Sequence, residues 1–193
     1  MGQNLAIFVC DLQFDTVLAE VPLHVCGVSP AGVDISKWVA KGLLQFHADR
    51  PSRHGLETHL LTMHHTVEVF DPDVVVMDPI TNLLAVGTDI DVRAMLTRVI
   101  DFLKTRGTTA LFTSLTSSEQ TLEQTETLIS SLMDSWILVA VQERDRRRQR
   151  QIYVLKSRGM PHSDEVRNFR FNSKGIEIEP EQSKPRAGAR RSR

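Results

Sequence analysis

Val74-Val75-Val76-Met77-Asp78 decides how this chain is read. Four apolar residues, three of them β-branched, end in a single carboxylate. Asp71-Pro72-Asp73 precedes the run and Pro79 stops it. A short unbroken apolar run between chain breakers is the pattern of a strand buried on both faces, as in the parallel sheet of an α/β domain. Asp78 then stands at the C-terminal strand end, where open α/β sheets bind their ligands. A plainer role for the same carboxylate is to cap the turn that follows.

On either side of this strand the apolar period changes to that of helices. Leu56–Phe70 carries Leu56, Leu60, Met63 and Val67 on one stripe and predicts an amphipathic helix. Asp89–Lys104 places Val92, Met95, Leu96, Val99, Ile100 and Leu103 on one face, with Gly107 positioned to end it. Thr108–Thr113 reads as a further buried strand, and Thr113 and Ser114 at its end either sense phosphate or simply terminate it. Upstream, Leu5–Cys10 and Leu43–His47 read as strands and Asp49–Gly55 as a loop. Asp34–Lys41 reads as a short helix capped by Asp34, with Ile35, Trp38 and Val39 at helical spacing and Gly42 behind it. Asp11–Pro30 has no clean period beyond a candidate short helix at Thr16–Glu20. The order β-α-β-α-β-α-β predicts a mostly parallel sheet, and right-handed crossovers give it three layers.

The C-terminal part has a different rhythm. Ser114–Glu126 reads as a polar loop and Thr127–Met133 as a short helix. Trp136–Val141 and Gln151–Lys156 read as antiparallel strands, with the basic run Arg144–Arg150 as the turn between them. Phe169–Phe171 and Ile176–Ile178 alternate around Ser173-Lys174-Gly175 and extend the antiparallel part. After Glu179 the chain has Pro, Gly, Ser and five basic side chains with no apolar anchor, which predicts a disordered tail over residues 180–193.

Composition narrows the function. The 193 residues carry a formal net charge of −1, so no global field pulls the chain toward nucleic acid or a membrane surface. No apolar run approaches membrane-spanning length, and the N-terminus lacks a signal-peptide pattern. Cys10 and Cys26 lack metal-ligand spacing, and so few cysteines fit a reducing cytoplasm. Among seven histidines, His59, His64 and His65 form the obvious metal candidate. His59 and His64 are five residues apart and do not share a helix face, so these histidines are expected to face solvent. Arg144–Arg150 has no interleaved aromatics, which argues against nucleic-acid binding.

Several separated stretches, in the same order, resemble the RecA-like domain of KaiC, the circadian clock ATPase and serine/threonine autokinase. They are Asp71–Leu84 (DPDVVVMDPITNLL), Ala110–Leu115 (ALFTSL), Gln124–Leu138 (QTETLISSLMDSWIL) and Ile152–Ser163 (IYVLKSRGMPHS), the last followed by Val166-Arg167-Asn168-Phe169. Val33–Leu44 with its WVAKGLL, Arg50-Pro51, Gly55-Leu56-Glu57 and His59-Leu60 also fit. The resemblance covers residues 32–178 within a domain read as residues 1–179. It implies a RecA-like phosphate-loop NTPase whose ATP and Mg²⁺ lie between neighbouring subunits of a hexameric ring.

On that resemblance Asp78 is the Walker B carboxylate toward Mg²⁺. Arg150, Lys156, Ser157, Arg158, Gly159, Met160, Pro161 and His162 are the strip that reaches a neighbour's nucleotide. Lys156 and Arg158, two apart on a strand, are expected on one face, toward phosphate oxygens. Gly159 lets the backbone turn close to a ligand. Without the resemblance, both cations read as solvated charges on an edge strand. Ser130 and Ser131 align with the family's paired phosphorylation sites, although adjacent serines also cap helices.

The resemblance is broken in two places. No G-x-x-x-x-G-K-[ST] occurs in the chain, so the backbone cradle and lysine for the phosphates are missing from it. The resemblance would place that loop before Met1, with the domain incomplete at its N-terminus. The family's adjacent glutamates should follow Leu5–Cys10, but Asp11–Glu20 offers only Asp11, Asp15 and Glu20 singly. Two functions are compatible with this pattern. One is an ATP-binding domain that is catalytically incomplete alone and works in an oligomer or a mixed ring with complete KaiC-like subunits. The other is an interaction module that joins such rings or signalling partners without nucleotide.

Overall fold

A computed structural model describes residues 4–10, 35–115, 131–144, 147–172 and 175–180. The readings at Asp11–Pro30, Asp34, Ser114–Glu126 beyond Leu115, Thr127–Ser130, Ser173-Lys174 and the tail from residue 181 lie outside them. The chain divides into two compact units, Met1–Met133 and Asp134–Arg193.

The first unit is a parallel sheet with crossover helices. Its described elements are β1 (Leu5–Cys10), α1 (Ser36–Ala40), β2 (Leu44–Asp49), α2 (Leu56–Phe70), β3 (Val74–Asp78), α3 (Asp89–Arg106) and β4 (Thr109–Phe112). Short 3-10 helices at Pro51–Arg53 and Ile80–Ala85 occupy two of the connections. The strand order is β2-β1-β3-β4, with every pair parallel. The register pairs Phe8 with Met77 and Ala6 with Val75, so these four share one face.

That face is the core. Ala6, Phe8, Val75 and Met77 cluster with Met63 and Val67 of α2 and Val92, Met95, Leu96, Val99 and Leu103 of α3. Ile80 and Leu83, from the 3-10 helix after β3, complete it. Five of the six predicted α3 positions lie in this cluster, and the sixth, Ile100, is also buried. Val74 and Val76, on the opposite face, are half-buried, so β3 is fully covered on one face only.

The helix ends follow local chemistry. α3 begins with a reciprocal capping box. Asp91 N–H donates to Thr88 Oγ1 at 3.3 Å, and Thr88 N–H donates to Asp91 Oδ2 at 3.1 Å. The Thr88 hydroxyl, which donates to Asp91 Oδ2 at 2.7 Å, and after it the Thr88 N–H hold the Asp91 carboxyl below its ordinary pKa. Gly107 ends α3 at φ 73°, a left-handed conformation that costs glycine little. Asp71 ends α2 at φ 48°, and its carboxylate pairs with Arg106 at 2.5 Å.

Two expectations change here. β4 is not a buried strand. Thr109, Ala110 and Leu111 are exposed, Leu111 by 54%, because β4 lies at the edge of the described sheet. His59 does not face solvent. It is 6% exposed, on the face of α2 that also carries Met63.

The second unit is an antiparallel sheet of β5 (Ser135–Arg144), β6 (Arg147–Ser157), β7 (Arg167–Asn172) and β8 (Gly175–Ile178), in that order. β5 and β6 pair as far as Arg144 and Arg147. The basic run is therefore largely strand, not a seven-residue turn. Glu143 opposite Arg148 places a carboxylate among the cations, which favours this longer pairing.

Leu96 is fully buried at the centre of the core. Leu96→Ala should cost about 2–5 kcal/mol of unfolding free energy. Thr88→Ala, which removes only the cap, should cost about 1 kcal/mol. Urea unfolding of both variants checks the order and the sizes.

Candidate functional site

Asp78 ends β3, next to β1 in register with Val9. The chain leaves β1 for β2 on one side, and leaves β3 for β4 on the other. Neighbouring strands whose connections depart in opposite directions form a topological switch point, and ligands bind outside their C-terminal ends. The Asp78 side chain is exposed there.

Thr113, one residue past β4, donates its hydroxyl to Asp78 Oδ1. Thr113 N–H donates to Met77 O at 3.0 Å, and Ile80 N–H donates to Thr113 O at 2.9 Å. Leu115 N–H reaches Thr81 Oγ1 at 3.3 Å. The strand ends are thus stitched together around the carboxylate. Magnesium takes one or two protein carboxylates and fills the rest of its octahedron with water and substrate phosphate. An exposed carboxylate with one oxygen anchored and the other oxygen pointing away from that bond fits such a group as a single protein ligand. Among the described residues, no cluster of three His, Cys, Asp or Glu side chains is arranged to hold a metal by itself.

Beside this point, at the end of β2, lies a histidine group. His59 Nε2–H donates to the Pro51 carbonyl at 3.0 Å, and its Nδ1 stands 3.7 Å from Asp49 Oδ2. His54 Nε2 lies 4.0 Å from the same oxygen. His47 packs against Phe8, ring centroids 5.7 Å apart. Burial pushes its pKa down; Asp49 opposes that and His59 adds to it. Sequence reading missed this group because its members come from a strand, a loop and a helix. His64 is separate and stacks on Phe102 at 4.0 Å.

The basic strip belongs to the second unit. Lys156 pairs with Trp136 near the end of β6, beside a register shift between Trp136 and Ile137. Ser157 Oγ lies 3.1 Å from Ser135 Oγ. β6 stops at Ser157, so Arg158 opens a turn and is not a strand partner of Lys156 as expected. Its N–H still donates to Asp134 O at 2.7 Å. Gly159 follows at φ 74°, where a side chain would be strained, and Met160, Pro161 and His162 are exposed beyond it. Lys156–His162 is thus one continuous strand end and turn. Arg150 is not part of it. It lies six residues back along β6, about 20 Å away at strand spacing, with its guanidinium 5.3 Å from the Phe171 ring centre.

Of the paired serines, Ser130 lies outside the described residues. Ser131 is exposed, and its hydroxyl accepts a hydrogen bond from Arg93 Nη2 at 3.2 Å. No described helix is long and apolar enough to cross a membrane.

Comparison with known proteins points the same way. A family described as "ATPase: KaiC" matches residues 26–183. The chain is 38% identical over 162 residues to circadian clock protein KaiC2 of Synechocystis sp., covering 82% of this chain and 28% of that protein. It is 31% identical over 148 residues to circadian clock protein KaiC3 of the same organism, covering 76% and 29%. It is 28% identical over 149 residues to circadian clock oscillator protein KaiC of Rippkaea orientalis, covering 77% and 29%. The chain therefore spans less than a third of the length of these relatives.

His47 gives the site region a pH dependence. Its lowered pKa means that the unfolded chain takes up a proton near the ordinary value of 6.5 before the folded chain does. Its share of stability is complete above that pH and declines as pH falls through 6.5 toward the folded-state value. His47→Gln should therefore lose less stability than the parent between about pH 7.5 and about pH 5.5. Urea unfolding at the two pH values measures the difference.

Proposed function

Because the chain belongs to the KaiC ATPase family, we propose that it is a RecA-like ATP-binding domain that works only beside other KaiC-like subunits. Asp78 supports this reading most directly, as an exposed carboxylate with one anchored oxygen at the switch point of a parallel sheet. In this reading Asp78 faces Mg²⁺ on the chain's own nucleotide side. Lys156, Ser157, Arg158 and the Gly159–His162 turn reach the nucleotide of a neighbour in a homo-oligomer or a mixed ring. Arg150, which the family resemblance puts in the same strip, lies six residues back along β6 with its guanidinium over the Phe171 ring.

Phosphoryl transfer depends on positioning and on charge stabilisation. Within these 193 residues there is no phosphate-loop motif and no adjacent glutamate pair after β1 to supply them. In the reading proposed here these 193 residues by themselves do not turn over ATP at a useful rate. Of the two candidate phosphorylation sites, Ser131 is the one among the described residues, and its hydroxyl accepts from Arg93.

A second reading is supported by the antiparallel sheet. The register puts Ile137, Val139, Val141, Phe171, Ile176 and Ile178 on one face, and each is more than half exposed. An apolar patch of this kind marks a binding surface. In that reading the chain joins KaiC-like rings or signalling partners without using nucleotide.

ATP binding in a ring assembled from this chain and a complete KaiC-like subunit separates the two. Loss of a hydrogen bond to a charged group costs about 1.5–3 kcal/mol. Lys156→Ala with Arg158→Ala should then weaken ATP binding at the mixed interface by about tenfold or more. Unchanged binding with intact rings would reject the nucleotide reading and leave the interaction module.

A further inference from the structure

We propose that Thr113 is a positioning residue: its hydroxyl fixes the Asp78 carboxylate so that the second oxygen faces a nucleotide-bound divalent cation. The inference rests on the reading of Asp78 given above and adds a residue to it.

Thr113 is held independently of its side chain. Its N–H and carbonyl bond to Met77 O and Ile80 N–H, which flank Asp78 in the chain. The Cα position of Thr113 is therefore set by main-chain bonds on both sides of the carboxylate. From there the hydroxyl reaches Asp78 Oδ1. A hydroxyl has one proton, and giving it to the carboxylate commits Thr113 to the donor role. β-Branching stiffens χ1, so the donor has few alternative directions.

An exposed aspartate on a strand end otherwise rotates about two side-chain bonds. With Oδ1 anchored, Oδ2 is presented along one direction, which is what a cation with strict octahedral geometry requires. Partners of this kind behind a metal ligand change metal affinity without touching the metal. The plain alternative is that the hydroxyl only satisfies polar groups at a strand end, which would make it important for stability and irrelevant to cation uptake.

The two are told apart with Thr113→Val and Thr113→Ser in the 193-residue chain. Valine keeps the shape and loses the donor; serine keeps the donor. The first readout uses the chain without nucleotide: the side-chain carboxyl ¹³C resonance of Asp78, assigned with Asp78→Asn. It should move in Thr113→Val and stay near the parent position in Thr113→Ser. The second uses the mixed ring: the Mg²⁺ concentration for half-maximal ATP binding should rise about 10- to 100-fold in Thr113→Val and recover in Thr113→Ser. Melting temperature is followed in parallel, and Thr113→Ala replaces the valine variant if that does not fold.

An unmoved Asp78 resonance in Thr113→Val overturns the inference, whatever role Asp78 has. A resonance that moves with no change in Mg²⁺ dependence also overturns it and leaves Thr113 as a strand-end fastener. If the parent and Asp78→Asn rings bind Mg²⁺ and ATP alike, the reading of Asp78 itself fails, and that result is distinct from the other two.

Discussion

The first unit depends on the burial of one face of β3. Val75 and Met77, at 2% and 0% exposure, lie in one cluster with β1, α2 and α3. Removing apolar area from water contributes about 25 cal/mol per Å², so a face of this kind sets the strand register. A slip of one residue would turn Val75 and Met77 toward the less covered side. The same register puts Asp78 beside Val9, at the point where the connections diverge. Core packing and the position of the carboxylate therefore have one cause. The apolar side chains cannot be buried in this register without bringing the acid to the open end of the strands.

The polar bonds at that end are consequences of the register. β4 pairs with β3 so that Phe112 lies opposite Met77 and Thr113 follows alongside Asp78, where its hydroxyl meets a carboxylate 35 residues earlier in sequence. His59 is likewise brought by α2 to the Pro51 carbonyl and Asp49. A histidine is tolerated at 6% exposure because its ring Nε2–H has the Pro51 carbonyl as acceptor. The second unit uses a different principle. Its antiparallel ladder holds Lys156 near a strand end and lets Arg158 start a turn, while Arg150 remains mid-strand over an aromatic ring. Cations that are near neighbours in sequence thus stand in different surroundings.

Much of the fold was legible because it is written locally. α2 begins and ends at the residues its apolar period marked, and β3 occupies the five residues that open the sequence reading. The apolar face of α3, its capping box and Gly107 are all short-range features. The strand order could be anticipated only as parallel with crossovers. The order β2-β1-β3-β4 depends on pairings between residues tens of positions apart. β4 is apolar enough to look buried, but strand composition does not state whether a strand is central or at an edge. The basic run Arg144–Arg150 looked like a turn because cations favour exposure, and an exposed strand end offers exposure equally well.

By itself the sequence determined the local elements, the family resemblance and the place of Asp78 at the end of a strand. Periodicity, capping and a breaker-bounded apolar run act over a few residues and need no partner to be recognised. Only the tertiary structure decided what surrounds the Asp78 carboxylate. Thr113 was already marked in sequence as a strand-end hydroxyl, but its donation to Asp78 could not be read there. Nor could the sequence place His59 against Pro51 and Asp49, or Arg150 over the Phe171 ring. Each of these depends on a distance of a few ångströms between residues far apart in the chain, or on the point where a strand stops. Packing sets those quantities, and residue order alone does not encode them in readable form.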